Sequence, residues 1–315
     1  MKYIEDFKED DHIIDHYLCK QKLSQKSKSG KTYLSLKLQD KTGAIDAKVW
    51  ELTKDIQNFE ENDFIKVDGI VVSYQNDLQL KVGKIRKSME GEYDPANYIP
   101  TTEKDIDSLF SQIKDYIQTL HNPLIRQLIE NVFIKNAAIR EAFKVHSAAK
   151  SMHHNYMGGL LEHTLSVVQI CDFLAPRYKF VNRDLLIATA MLHDIGKIYE
   201  LSPFPSNDYT DDGQLLGHLI MGDALIKEES EKIPGFPHQL QSLLRHSILA
   251  HHGEYEFGSP KLPKTIEAFI LFSADNMDAK IKMYETMIAG NSTNSPWAGY
   301  HRMLERNIRL SRVDE

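Results

Sequence analysis

Cysteine is scarce in this chain: Cys19 and Cys171 are the only two in 315 residues. Two cysteines so far apart do not make a disulfide framework. They fit a cytoplasmic protein in which each is a small buried hydrophobe. Long apolar runs are missing as well. None approaches the roughly 20 residues needed to span a bilayer, so a membrane is not an expected partner. The first residues, MKYIEDFKEDD, are acidic and contain no apolar segment, so no signal peptide is expected. An excess of positive charge is also lacking. There are 38 Lys+Arg against 45 Asp+Glu, a net charge of −7, which is wrong for a chain that grips nucleic acid along its whole length. The charge is unevenly spread, however. Residues 12–89 hold 14 Lys+Arg and 10 Asp+Glu, whereas residues 90–315 hold 22 and 30. A basic segment joined to an acidic remainder hints at a nucleic-acid module attached to something else.

The basic segment alternates with the period of a strand. Residues 12–23 (HIIDHYLCKQKL) are rich in β-branched and aromatic side chains. In residues 32–39 (TYLSLKLQ), Leu34, Leu36 and Leu38 share one face, while Tyr33, Ser35, Lys37 and Gln39 share the other. Residues 44–50, 64–74 and 78–86 continue the pattern. KSKSG at 26–30, DKTG at 40–43 and Gln75-Asn76-Asp77 supply turns. Residues 51–63 read as a short polar helix or loop. Five short strands, with one short helix between the third and fourth, fit an all-β OB-fold barrel. Single strands are held by basic loops and aromatic faces, since every base has a π-face and every phosphate a charge. Lys26, Lys28 and Lys31 on the first hairpin loop, with Tyr33 and Tyr74, are therefore the candidate nucleic-acid contacts. Trp50 is also aromatic, but it ends an apolar strand and is expected in the core.

Residues 90–100 contain two prolines and a glycine and have no period, so they read as a linker. Thr102 followed by Asp105 resembles a capping-box start. Ile106, Leu109, Phe110, Ile113, Ile117 and Leu120 then recur at helical spacing. Asn122-Pro123 opens a second helix, with proline at its first position, that is expected to run through residues 124–145. Nothing chemical stands out in this connector.

The remainder carries histidines and aspartates inside apolar, helix-period segments: His163, His193-Asp194, His218, His251-His252 and Asp275. Polar groups in such places need a partner, and a metal can be that partner. A lone histidine on an apolar face is more often a hydrogen-bonded core residue. The adjacent pair His193-Asp194 changes that weighing, because both can reach one ion only in a cleft that other helices also line. His163 and Asp275, from separate helices, would complete a mixed nitrogen and oxygen shell suited to divalent first-row metals. His218, His251 and His252 offer more imidazoles than one ion needs. Asp194 could bridge a pair of ions about 3.5–4 Å apart, the spacing that activates water and clamps the leaving oxygen of a phosphodiester.

Two stretches of the barrel segment, YLSLKLQDKTGAIDAKVW and VDGIVVSYQNDLQLKV, resemble the OB domains of anticodon-binding and related nucleic-acid proteins. The order His163, His193-Asp194, His218, His251-His252, Asp275 resembles the HD phosphohydrolase superfamily over roughly residues 140–300. That resemblance implies a first metal held by His163, His193, Asp194 and Asp275. It implies a second held by His218 and His251 or His252, with Asp194 shared, and it gives Lys197 of HDIGK to substrate phosphate. An OB-fold, a helical connector, HHNYMGGLLEHTLSV and an HD domain with HHGEYEFGSP together look like the YhaM-type 3′–5′ exoribonucleases of Gram-positive bacteria, a group that includes a protein described as a cmp-binding factor. This likeness implies 3′-end digestion of single-stranded RNA and DNA, manganese as the ion, and a substrate contact from His153 or His154. The absence of a Gly-Tyr-Pro triplet after the double histidine points away from the cyclic-dinucleotide branch.

The expected architecture is multidomain: an OB-fold at 1–90, a linker and helical connector at 91–140, and an all-α HD domain at 141–315. The expected function is a metal-dependent exonuclease that yields nucleoside 5′-monophosphates, with Asp194 and Lys197 as catalytic residues. Two readings compete with it: a mononucleotide hydrolase of HD type, and a single-strand-binding factor with a vestigial site. Assembly into a homo-oligomer is left open.

Overall fold

In the computed structural model, residues 1–27, 30–74, 77–150, 155–289 and 295–311 are described. Lys28, His153 and His154, singled out above, lie outside the described residues, as do Gln75 and Asn76 of the expected turn. The chain divides into two compact units. One is Met1–Thr101 with Phe204–Ser206, and the other is Thr102–Pro203 with Asn207–Glu315.

The first unit is a closed five-stranded barrel in the order β1-β2-β3-β5-β4, built from β1 (His12–Lys26), β2 (Thr32–Asp40), β3 (Gly43–Val49), β4 (Phe64–Tyr74) and β5 (Asp77–Lys87). β1 is long enough to serve two neighbours. Its first half pairs with β4 from His12 to Leu18, and its second half pairs with β2 as far as Lys26. A register shift between Cys19 and Gln21 bends it where the two pairings meet. β3 and β5 run parallel; the other neighbouring strands are antiparallel. The period-2 faces are as expected: Leu36 and Leu38 are buried with Tyr17, Ile65, Val67 and Leu80 in one core.

Two expectations are corrected here. Residues 51–63 form no helix. Ile56 bridges to Ile85, the Gln57 N–H donates to the Ile85 carbonyl at 2.9 Å, and the Ile85 N–H donates to the Asp55 carbonyl at 3.0 Å. These bonds hold Asp55–Gln57 against β5 and leave those groups unavailable for a helical turn, so the stretch is the loop of the two readings, not the helix. Trp50 is not in the core. It is 45% exposed and stacks on Tyr33, with centroids 4.7 Å apart, because β3 ends at Val49 and the indole falls just past the last inward position.

The second unit contains α1 (Ile106–Gln118), α2 (Pro123–Glu130), α3 (Ala137–Val145), α4 (Gly159–Leu174), α5 (Arg183–Leu192), α6 (Lys197–Glu200), α7 (Asp211–Glu231), α8 (His238–Ala250) and α9 (Ile266–Ala289). A small hairpin follows, β6 (Trp297–His301) and β7 (Arg306–Arg309). The connector helices share one continuous core with α4, α5, α8 and α9. The N-cap of α1 is Asp105, whose carboxylate accepts from the Ser108 N–H. Thr102 instead donates its hydroxyl to Glu162, so the reading of Thr102 as the cap is corrected. Asn122 caps α2 as its sequence suggests, accepting from the Leu124 and Ile125 N–H groups. The helix does not run on to 145. A π turn at Asn131–Lys135 ends it, and Asn136, in extended backbone, caps α3 through the Ile139 N–H. α4 and α5 are buried over most of their surface, so their polar residues must find partners within the protein, as Glu162 does with Thr102 and Asp184 with the His121 and Asn122 N–H groups. No helix among the described residues is long and apolar enough to cross a membrane.

Phe133 and Phe143, both fully buried, meet edge to face at 4.8 Å and fasten the connector to this core. Phe143→Ala should therefore cost about 3–5 kcal/mol. The expected outcome is a clearly lower thermal midpoint by circular dichroism. An unchanged midpoint would mean that the connector does not contribute to the core.

Candidate metal centre

The two doublets that motivated a metal site occupy equivalent positions. α5 ends at Leu192, with His193 as its C-cap and Asp194 next. α8 ends at Ala250, with His251 as its C-cap and His252 next. Because the chain leaves each helix there, adjacent side chains need not diverge by the 100° that a continuous helix imposes. The imidazoles also finish the helices. His193 Nδ1 donates to the Ala190 carbonyl at 2.8 Å, and His251 Nδ1 donates to the Ile248 carbonyl at 2.7 Å. These carbonyls belong to the last turn, where intrahelical partners run out. Two helix C-termini carrying partial negative charge thus face the same space, which favours a cation there.

The remaining imidazoles are anchored in the same way. His163 Nδ1 bonds Asp278 at 2.7 Å, His218 Nδ1 bonds Glu200 at 2.9 Å, and His252 Nδ1 bonds the Phe257 carbonyl at 3.0 Å. With a hydrogen on each Nδ1, all five rings present Nε2 to the site, which is the arrangement metal-binding histidines adopt. His218 owes its place to Gly217, whose φ of 74° and ψ of 160° break α7 immediately before it. The turn bearing Asp194 approaches α7 at Gly196, where a Cβ would lie 2.1 Å from the His218 carbonyl oxygen. Only glycine permits that approach.

The Nε2 atoms form two groups, with Asp194 between them. Its Oδ2 lies 3.6 Å from His163 and 3.4 Å from His193; its Oδ1 lies 3.6 Å from both His218 and His251. Within the first group, His163 Nε2 is 3.2 Å from His193 Nε2 and 3.1 Å from Asp275. Within the second, His218 Nε2 is 3.2 Å from His252 Nε2. Shells with bonds of about 2.0–2.2 Å place neighbouring donors roughly 3–3.6 Å apart. Among the described residues, Asp194 Oδ1 and His251 Nε2 are buried without any hydrogen-bond partner. Buried polar groups are seldom left so, and a cation between them would satisfy both. The donors fit a divalent ion in each group.

The electrostatics agree. Burial opposes ionisation of Asp194, but the Lys197 ammonium and the imidazoles of His193 and His251 that face it outweigh it and hold the carboxyl well below its usual range. Burial, with the neighbouring imidazoles adding to it, pushes His252 down to about 3, and burial likewise lowers His251, so both are neutral with free lone pairs at pH 7. His163 is the exception. Burial acts against its charge, yet Asp275 and Asp278 raise it to about 10, so a cation entering at neutral pH must displace its Nε2 proton. Lys197 donates to Asp194 Oδ2 at 2.7 Å, and this pairing keeps it charged against burial.

All seven expected ligands and Lys197 thus converge. Sequence reasoning missed Asp278, Glu200, Gly196 and Gly217. The two glycines have a legible signal, one in HDIGK and one directly before His218; the two carboxylates have none. On the barrel, Lys26 closes β1, Lys31 precedes β2, and Tyr33 forms the stack with Trp50 while Lys48 lies 5.8 Å from its ring. Tyr74 ends β4, 61% exposed.

Comparison with known proteins places both units. Residues 160–280 match the HD domain family, and residues 21–87 match a family described as an OB-fold nucleic acid binding domain. The 3′-5′ exoribonuclease YhaM of Geobacillus sp. (strain WCH70) is 34% identical over 275 residues, covering 86% of this chain and 84% of that protein. Its namesake from Shouchella clausii (strain KSM-K16) is 36% identical over 280 residues, covering 86% and 85%. Among solved structures, the second OB-fold domain of replication protein A from Methanococcus maripaludis is similar at 20% identity and a TM-score of 0.24, over 30% of this chain and 98% of that one. With its barrel and helical unit matched in order along the chain, this protein belongs to the YhaM family of 3′-5′ exoribonucleases.

Proposed function

We propose that this chain is a metal-dependent 3′–5′ exonuclease that degrades single-stranded RNA, and single-stranded DNA, to nucleoside 5′-monophosphates in the cytoplasm. The observation that carries the reading is the paired cluster. Five Nε2 atoms and two carboxylates face one buried space, and Asp194 turns one oxygen to each half. The direction of digestion and the RNA substrate follow from the names of the two relatives. The family resemblance favours manganese.

In this reading His163, His193, Asp275 and Asp194 would hold one divalent ion, and His218, His251 and His252, with Asp194 shared, would hold the other. Bound there, the ions would supply a water acidic enough to ionise at neutral pH and positive charge for the departing 3′-oxygen. The chain's own groups do the rest. The Nδ1 bonds hold the imidazoles in one tautomer, so no reorganisation is needed at the moment of reaction. Lys197, kept charged by Asp194, offers its ammonium to the non-bridging phosphate oxygens. On the barrel, the Tyr33–Trp50 stack and Tyr74 present faces to bases, and Lys26, Lys31 and Lys48 present charge to phosphates. A vestigial site would leave Asp194 Oδ1 and His251 Nε2 buried and unsatisfied for no return, which counts against the binding-factor alternative.

A 5′-labelled single-stranded RNA incubated with manganese should yield a ladder shortening from its 3′ end, and chelator should abolish it. Asp194→Ala should lower turnover at least about a thousand-fold while gel-shift affinity for the RNA stays near that of the unmodified protein. Near-normal turnover in the variant would remove the site assignment. RNA bound but left intact in manganese would make the chain a single-strand binder.

Asp278 fixes His163 through Nδ1 without facing the ion space itself. Asp278→Ala should weaken manganese binding by about 10–100-fold, read by titration of the folded protein. Unchanged affinity would show that His163 needs no such support.

A further inference from the structure

The metal-site residues occupy part of a cleft of about 550 Å³ within the helical unit. That volume suits a small organic ligand, for which sites of about 300–1,000 Å³ are usual. The rest of the lining is uncharged and includes Phe257, Phe272 and Met303. A terminal nucleotide with its phosphate at Lys197 and the ligand cluster must place its sugar and base in this remaining space.

The three large apolar residues are held differently. Phe272 lies on α9, one turn before Asp275. Its ring rests so close to Gly253 that a Cβ there would be 2.2 Å away, which makes it a fixed wall. Phe257 ends a short 3-10 turn, Tyr255–Phe257, and is 56% exposed. Met303 sits in the turn between β6 and β7 and is 54% exposed. The hairpin that carries it is anchored by the buried Leu304, Ile308 and Leu310. Phe257 and Met303 both line the cleft that also holds the charged cluster, and each is more than half exposed. An aromatic face and a polarisable thioether both suit the flat face of a nucleobase.

We propose, resting on the exonuclease reading, that Phe257 and Met303, backed by Phe272, form the subsite for the base of the 3′-terminal nucleotide. Recognition is by stacking and apolar contact, which every base can satisfy. The subsite thus accepts any sequence while holding the terminal phosphodiester against the charged cluster. It can be separated from the metal ligands by mutation. Phe257 meets His252 through its backbone carbonyl, at 3.0 Å, so removing the ring leaves that bond in place. Met303 belongs to another element altogether.

The test uses the full chain loaded with manganese and two 5′-labelled RNAs of one sequence, one ending in a normal nucleotide and the other in an abasic ribose. The unmodified protein should remove the normal residue with a kcat/KM roughly tenfold higher or more, the size expected for one stacked base. Phe257→Ala and Met303→Ala should each bring the ratio close to one while removing the abasic residue at the unmodified rate. The inference is overturned if the variants keep the full ratio, or if they slow both substrates equally. Failure of the unmodified protein to shorten either RNA would instead overturn the exonuclease reading, and this inference with it.

Discussion

A single buried carboxylate, Asp194, dictates much of how the helical unit is arranged. It is 2% exposed, and burial alone would drive it to take up a proton. It stays ionised because Lys197 and four imidazoles surround it within 2.7–3.6 Å. Each of those partners must arrive from a different helix or turn. The unit is therefore a set of helices that end or break beside one point: α5 and α8 at their C-termini, α7 at Gly217, α6 at its start, with α4 and α9 passing alongside.

The same hydrogen bonds serve folding and chemistry. Where His193 and His251 cap their helices, the Nδ1–H that donates to a last-turn carbonyl also turns Nε2 towards the site. Elsewhere the anchor is a carboxylate for His163 (Asp278) and His218 (Glu200) and the Phe257 carbonyl for His252. The arrangement leaves Asp194 Oδ1 and His251 Nε2 unsatisfied among the described residues. This is the remaining cost of the site as the chain alone builds it, and a bound cation removes it.

The barrel was legible in the sequence because a half-buried strand writes its period of two directly into the residues, as in Leu34, Leu36 and Leu38. The convergence of the histidines and aspartates was legible because paired histidines and aspartates are rare inside apolar helical runs. What escaped depended on distant chain. Residues 51–63 have a polar composition that either a helix or a loop can show, and it is pairing with Ile85 that decides. Trp50 looked like a core residue by its neighbours, yet one step beyond Val49 turns it outward onto Tyr33. Asp278 and Glu200 are ordinary acidic residues until α9 crosses α4 and Gly217 bends α7. Asn136 ends a helix that apolar spacing alone would continue.

The most direct measurement of the central claim, that Asp194 joins two ion sites, is the electron paramagnetic resonance spectrum of the manganese-loaded protein. Two ions sharing the Asp194 carboxylate should give the broadened, exchange-coupled spectrum of a pair at a stoichiometry of two per chain. In Asp194→Asn the coupled signal should be lost. A single isolated manganese signal in the unmodified protein at saturation would contradict the account.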